Sequence, residues 1–235
     1  MQKILLVTAT PEEAAPLLPK GRKWNRGGLY TIERSGKMAV DLLITGPGMV
    51  ATTAMMMQQI PAGSYDLAIN TGICGSLHKG IRPVKVVNII TDRFGDFGAE
   101  DRNRFLQAHE MGLLPDHNGF RKGKIKATFD RKYSVLKLLP KVDGITVQKV
   151  HGTTAGAGKA LKLYGPVMES MEGAAFFYCC NLLELPSLQI RAVSNMVEAR
   201  NRSAWKIGEA IGALSGFISL LLMEIQGNNH ITKDK

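Results

Sequence analysis

The chain has 235 residues, of which 45% are hydrophobic and 21% charged, and its formal net charge is +10. That is the composition of a globular protein with a sizeable core, which excludes a disordered or low-complexity chain. Glycine is raised, at 25 residues against 10 prolines, and without a repeat this points to tight turns near a ligand and not to a fibre.

In chain order, residues 3–9 form a continuous apolar run of strand length. Its stretch from Ile4 to Ala9 is six residues, and Glu12 and Glu13 follow at once, so it does not read as a secretion signal. Residues 29–34 and 38–45 read as strands around a turn at Ser35-Gly36-Lys37. Gly46-Pro47-Gly48 breaks the chain, and 49–60 reads as a helix. Residues 66–71 make a buried strand closed by Gly72 and Gly75, and 84–91 a β-rich strand. A polar loop over 93–103 leads to two expected helices, near 104–112 and 131–139. Nine Lys/Arg against two Asp lie between Gly119 and Lys149. The aromatics there are only Phe120, Phe129 and Tyr133, and no RNA-binding signature is present. The strip is therefore read as a solvated basic face, and no nucleic-acid partner is expected.

Residues 145–150 read as a strand, 152–165 as a small-residue loop, 166–170 as a short strand and 171–184 as a helix. Cys179 and Cys180 fall in that apolar helix. With Cys74 they are too few for a disulfide framework and read as reduced, buried thiols, and no Cys/His spacing resembles a zinc site. Residues 188–194 read as a strand, 204–225 as a long final helix and 228–235 as a polar tail. Between Glu209 and Glu224 lie 14 uncharged residues, short of the roughly 20 that span a bilayer. The expectation is a soluble, cytoplasmic protein without membrane contact, with one domain over 1–227 and a tail over 228–235.

Strands alternate with helices throughout, so the class is α/β with a mostly parallel, buried sheet. Such sheets place ligands at the carboxyl ends of their strands. Four stretches at those ends could carry chemistry, and each has a plain structural alternative. Thr10-Pro11-Glu12-Glu13 has the form of a capping box, or places the Glu13 carboxylate where it could activate water. Glu169-Ser-Met-Glu172 precedes Gly173-Ala-Ala. Glu172 suits a helix N-terminus, or could accept the two vicinal hydroxyls of a ribose. Arg191-Ala-Val-Ser-Asn195 ends a strand in an ordinary turn or in a polar contact to a ligand. Asn70-Thr-Gly-Ile-Cys-Gly75 is a tight turn or a close approach of backbone to ligand.

Taken together, in order and spacing, these stretches resemble the nucleoside phosphorylase/nucleosidase family over nearly the whole chain. The resemblance implies a three-layer α/β/α domain on a twisted mixed sheet, homo-oligomeric assembly and a small nucleoside as substrate. It also implies no metal or organic cofactor. By the same matches, Met171 and Glu172 hold the ribose, and Gly72, Ile73, Phe94 and Ser194 contribute to the substrate site. The loop 94–101 with Phe105, and 194–202 with Trp205, resemble the futalosine hydrolase branch. Methylthioadenosine/adenosylhomocysteine nucleosidases carry Asp where Asn195 stands and an aromatic near 152–158, which this chain lacks. They remain the alternative, as does a silent nucleoside-binding protein.

Phosphorylases of the family hold phosphate with an Arg and a Ser where this chain has Asn70 and Ile73. Ile73 has no donor and Asn70 no charge, so water is the expected nucleophile and Glu13 its base. A 6-oxopurine presents acceptors at O6 and N7, which an Asn amide can donate to and a carboxylate repels. Asn195 therefore fits hypoxanthine better than adenine.

Overall fold

The N-terminal apolar run is buried on both faces, and the rest of the fold is built outward from it. In the computed structural model, which describes residues 1–18, 27–36, 38–129 and 133–228, Ile4 and Leu6 point into one hydrophobic cluster and Leu5 and Val7 into another. The elements in chain order are β1 (Gln2–Thr8), α1 (Pro11–Ala14), β2 (Leu29–Arg34), β3 (Met38–Ile44), α2 (Met49–Gln59), β4 (Leu67–Ser76), β5 (Val86–Asp92), β6 (Gly98–Asp101), β7 (Arg104–Gln107) and β8 (Ile125–Lys126). They continue with β9 (Lys141–Thr146), α3 (Thr154–Tyr164), β10 (Met168–Ser170), α4 (Gly173–Leu182), β11 (Ser187–Met196) and α5 (Ile207–Asn228). Lys37 of the expected turn, residues 131–132 of an expected helix and 229–235 of the expected tail lie outside the described residues.

The large sheet runs β10-β9-β5-β11-β4-β1-β3-β2, and β10 also pairs with β4, so five of its strands close into a ring. The pairs β1–β3, β1–β4, β4–β11, β5–β9 and β9–β10 are parallel, whereas β2–β3, β5–β11 and β4–β10 are antiparallel. This is the expected mixed, mostly parallel α/β sheet. α2 and α4 cover one face, where Met56, Phe176, Phe177, Cys179 and Cys180 pack on Leu5, Val7 and Leu43. α5 covers the other with Ala210, Leu214, Ile218, Leu221 and Ile225, a helical stripe against β1, β3 and β11. By length and hydropathy α5 would suit a membrane span. Its buried stripe is instead one wall of the core, and each such Leu or Ile contributes about 1.5–3 kcal/mol by leaving water. All three cysteines are free and buried, as expected.

Several elements differ from the sequence expectation. Residues near 104–112 form no helix. β6 and β7 pair as a hairpin around Arg102, whose φ is +55°, and Glu110 closes it by accepting from the Gln107 amide and Arg104. Among the described residues of the second expected helix, only Val135–Leu138 turn, as a short 3₁₀ segment. The expected loop over 152–165 is α3. Thr153 caps it by accepting from the Gly156 amide, and Ala157 and Ala160 bury its face beside Ile145 and Val147. β4 passes through Gly72 and Gly75 to Ser76, and β9 starts and ends about four residues before its expected position. The basic strip is solvated at Arg121, Lys122, Lys126, Lys137, Lys141 and Lys149, while Phe120 and Ile125 between those charges are core residues.

Candidate active site

A cavity of about 480 Å³ opens where β1, β4 and β11 end and where β10 hands over to α4. That volume suits a nucleoside-sized ligand. Glu13, Ile73, Met171, Glu172, Ser194 and Asn195 all line it.

Glu13 is placed by its own helix turn. Thr10 caps α1, accepting from the Glu13 amide, and Glu13 Oε2 accepts in return from the Thr10 amide at 3.1 Å, which completes the capping box. The same oxygen accepts from the Ala9 amide at 3.1 Å, and Oε1 accepts from the Ile73 amide at 2.9 Å. The capping reading is thus correct, and it also fixes the carboxylate at the cavity wall. Burial pushes the Glu13 carboxyl above its ordinary value, and the Glu172 charge pushes it further. Arg191 and the amides of Ile73 and Thr10 oppose this. A buried carboxylate raised in this way is suited to taking a proton near neutral pH.

Glu172 stands at the N-cap of α4 but makes no capping bond with its side chain. Its Oε1 accepts from the Gly48 amide at 3.1 Å, and its Oε2 lies 3.3 Å from Arg191 Nη2 in a buried ion pair. Gly48 holds φ at +94°, a conformation that glycine adopts without strain, and this turns its N–H to the carboxylate. Arg191 is itself fully buried. Its Nη2 also donates to Asn70 Oδ1, its Nη1 to the Ile73 carbonyl at 3.4 Å and its Nε to Gln189 Oε1 at 3.2 Å. Gln189 in turn donates to Asp92, whose carboxyl burial pushes up to about 6. The chain Asp92–Gln189–Arg191–Glu172 therefore anchors the Glu172 carboxylate to the sheet interior. In the sequence Arg191 stands out only as part of a motif. Its role in the network depends on Asn70 and Glu172, which are far from it in sequence.

Asn195 sits at a bulge between β11 and β4. Its Nδ2 donates to the Met196 carbonyl at 2.9 Å, and its Oδ1 accepts from Ser194 Oγ at 2.7 Å. A carbonyl can only accept, so the amide orientation is set, and the second Nδ2–H is left for another acceptor. Asn195, His151, Arg200 and Trp205 also line a small adjoining pocket that Glu13 and Glu172 do not reach. The cavity thus has a carboxylate end and an amide end.

Two of the expected site residues stand elsewhere. Gly72 lies behind the wall, where a Cβ would come within 2.7 Å of both Arg191 Nη1 and Glu13 Oε1. It permits the site without lining it. Phe94 faces a separate apolar groove with Met49, Val50, Phe97 and Tyr178. The residues given no role from sequence are His151, in the segment between β9 and α3, and Arg200 beside Trp205.

The family model of the phosphorylase superfamily matches residues 3–219. The chain is 32% identical to a futalosine hydrolase of Streptomyces coelicolor over 77% of each chain. It is 28% identical to one of Acidothermus cellulolyticus over 90% of this chain and 87% of that one. Among solved structures, futalosine hydrolase of Helicobacter pylori superposes with a TM-score of 0.74 at 16% identity, covering 95% of this chain and 98% of that one. The 5′-methylthioadenosine/S-adenosylhomocysteine nucleosidase of the same organism gives 0.75 at 16%, covering 95% and 99%. On the family match and the Streptomyces relative, the chain belongs to the phosphorylase superfamily, as its sequence motifs imply.

Proposed function

We propose that this protein is a nucleosidase that hydrolyses the N-ribosidic bond of futalosine, releasing hypoxanthine and dehypoxanthine futalosine. That places it in menaquinone biosynthesis, as its resemblance to futalosine hydrolases implies. The curated relatives carry that activity in their names. The single observation in this chain that carries the reading is Asn195. Its amide is tied through Oδ1 and one Nδ2–H, which leaves the second Nδ2–H for an acceptor in the cavity that Asn195 lines; a 6-oxopurine offers acceptors there and a 6-aminopurine offers a donor.

The steps follow from the two ends of the cavity. Glu172, with Met171 beside it, accepts from the ribose hydroxyls and stabilises the positive charge that grows on the sugar as the bond to N9 stretches. Glu13 takes a proton from a water that attacks C1′. Arg191 is already held by Glu172, Asn70, Gln189 and the Ile73 carbonyl, and Ile73 offers an apolar side chain. This favours water over phosphate as the nucleophile. Asn195, steadied by Ser194, donates to the departing base, and Trp205 supplies an apolar face for its ring.

The apolar groove at Phe94 and Phe97, with Val50 and Phe97 exposed, supports assembly as a homo-oligomer. Buried reduced thiols favour a cytoplasmic location. The deciding assay incubates the protein with futalosine, inosine and methylthioadenosine and separates the bases by chromatography. Hypoxanthine from futalosine is expected. Adenine from methylthioadenosine as the main product would move the chain to the other nucleosidase class, and no product from any of the three would leave a binding protein.

A further inference from the structure

The hydrolysis proposed above leaves one proton unassigned. When the C1′–N9 bond breaks, its electron pair goes to the purine, and hypoxanthine leaves as an anion unless a proton reaches it. Asn195 can donate a hydrogen bond but holds no proton to give. Glu13 is occupied with water at the other end.

The sheet register places a titratable pair beside Asn195. On β4, Gly75 pairs with Asn195 of β11 on one side and with Glu169 of β10 on the other. A Cβ at Gly75 would lie 3.6 Å from Asn195 Nδ2 and 4.0 Å from the Glu169 carbonyl. The Glu169 side chain is 3% exposed, and both its oxygens go to one residue. Oε1 accepts from the His151 amide at 3.0 Å, and Oε2 makes a short hydrogen bond to His151 Nδ1. The His151 ring, 26% exposed, borders both the cavity and the adjoining pocket that Asn195 also lines. Among the described residues, Nε2 of that ring has no hydrogen-bond partner. A buried carboxylate that grips Nδ1 fixes the ring's orientation and leaves Nε2 as the atom that exchanges a proton.

We propose that His151, positioned by Glu169, is the acid that protonates the departing hypoxanthine. As C1′–N9 breaks, the Nε2–H bond breaks and an N7–H bond forms, so the base leaves neutral and the imidazolium becomes imidazole. The attacking water's oxygen bonds to C1′, and its proton goes to Glu13. After release Glu13 returns a proton to solvent and His151 takes one up, so the cycle consumes one water. The charged groups around the ring are Glu169 from β10, Glu198 and Arg200 from the segment after β11, Asp96 acting on Glu169 from the segment after β5, and Lys149 on its own segment.

The test compares wild type, His151→Gln and Glu169→Gln on futalosine and on N7-methylated futalosine, whose departing base is neutral without gaining a proton. On futalosine, His151→Gln should lower kcat by about 10²–10⁴ and remove the alkaline limb of its pH profile. Glu169→Gln should lower kcat less and move that limb to lower pH. On the N7-methyl substrate both variants should match wild type within a few-fold. A folded His151→Gln protein that keeps near-normal kcat on futalosine, or that loses equally on both substrates, overturns the proposal. Wild type inactive on futalosine is a separate result, and it would remove the hydrolysis itself.

Discussion

The two ends of the cavity are built differently. At the carboxylate end the charges of Glu13, Glu172 and Arg191 are buried and answered. Glu13 takes three backbone amides, Glu172 takes the Gly48 amide and the Arg191 guanidinium, and Arg191 is held by Asn70 and Gln189. At the amide end the groups are half-exposed. Among the described residues the Asn195 side chain bonds only to its chain neighbours, Ser194 and Met196, and Arg200 stacks over Trp205 with its guanidinium carbon 5.2 Å from the ring centre. In the proposed reaction, fixed negative charge meets the sugar as it becomes positive, and the Asn195 donor meets the base as it becomes negative. Such preorganisation is the largest single source of catalysis in most enzymes. The carboxylate end is rigid because misplaced buried charge is costly.

The hardest blow to the carboxylate end is Glu13→Gln. Turnover should fall by about 10²–10⁴, the usual weight of a general base. Gln preserves the capping box, and at neutral pH it removes a charge whose burial is unfavourable, so the melting temperature should shift by only a few degrees. Near-normal turnover in the folded variant would leave Glu13 with a capping role alone. The sign of the pH effect follows from the same group. Glu13 works ionised and its carboxyl is raised, so kcat/KM should be lost as pH falls through a value above the ordinary glutamate range. An acid limb at or below that range would contradict the assignment.

Arg191→Met tests the anchor beneath that end. It strips Glu172 of its ion pair and leaves Asn70 and Gln189 without their donor. Removing one partner of a buried pair costs about 3–5 kcal/mol, readable as a fall in the denaturant midpoint with the slope unchanged. A loss below about 1 kcal/mol, the worth of a surface pair, would mean that the network is not rigid. Glu172→Gln is milder, because the amide keeps one acceptor. It should cost about 1.5–3 kcal/mol in kcat/KM, the range for a hydrogen bond to a charged group, and clearly less on the 2′-deoxy substrate. Equal losses on both substrates would take the 2′-hydroxyl away from Glu172.

The sequence shows the carboxylate end better than the amide end, for physical reasons. β1, α2, α4 and β11 announce themselves because burial on both faces or along a stripe demands apolar runs. Glu13 is visible because its capping pattern is local. α3 was hidden by Gly152, Gly156, Gly158 and Gly165, which mimic a loop, although Thr153 and the Ala-Lys-Leu run carry a helix. β6 and β7 were hidden because an exposed four-residue hairpin needs no apolar alternation. Phe94 was assigned by resemblance and turned out to face another groove. Arg191 meets Asn70 across 121 residues and His151 meets Glu169 across 18. Such pairs are set by sheet register, which no local pattern records.

The finest division between the two ends is base choice, and Asn195→Asp tests it. The Met196 carbonyl requires a donor from residue 195, and in the native chain Nδ2 supplies it. An ionised Asp has none, so the variant loses both that tie and the second N–H that the proposal gives to the base. It should disfavour hypoxanthine by leaving its O6 and N7 acceptors unmatched, at a cost of about 1–3 kcal/mol. It should favour a 6-amino base, whose donor it can accept. The change is therefore in the ratio of kcat/KM for futalosine to that for its 6-amino counterpart, which should shrink by about five- to 150-fold. A protonated Asp would donate again and blunt the change at low pH, so the ratio should shrink most at high pH. Equal discrimination by the two proteins at all pH values would move base selection off residue 195. His151 and Trp205, the other groups on that wall, would then have to carry it.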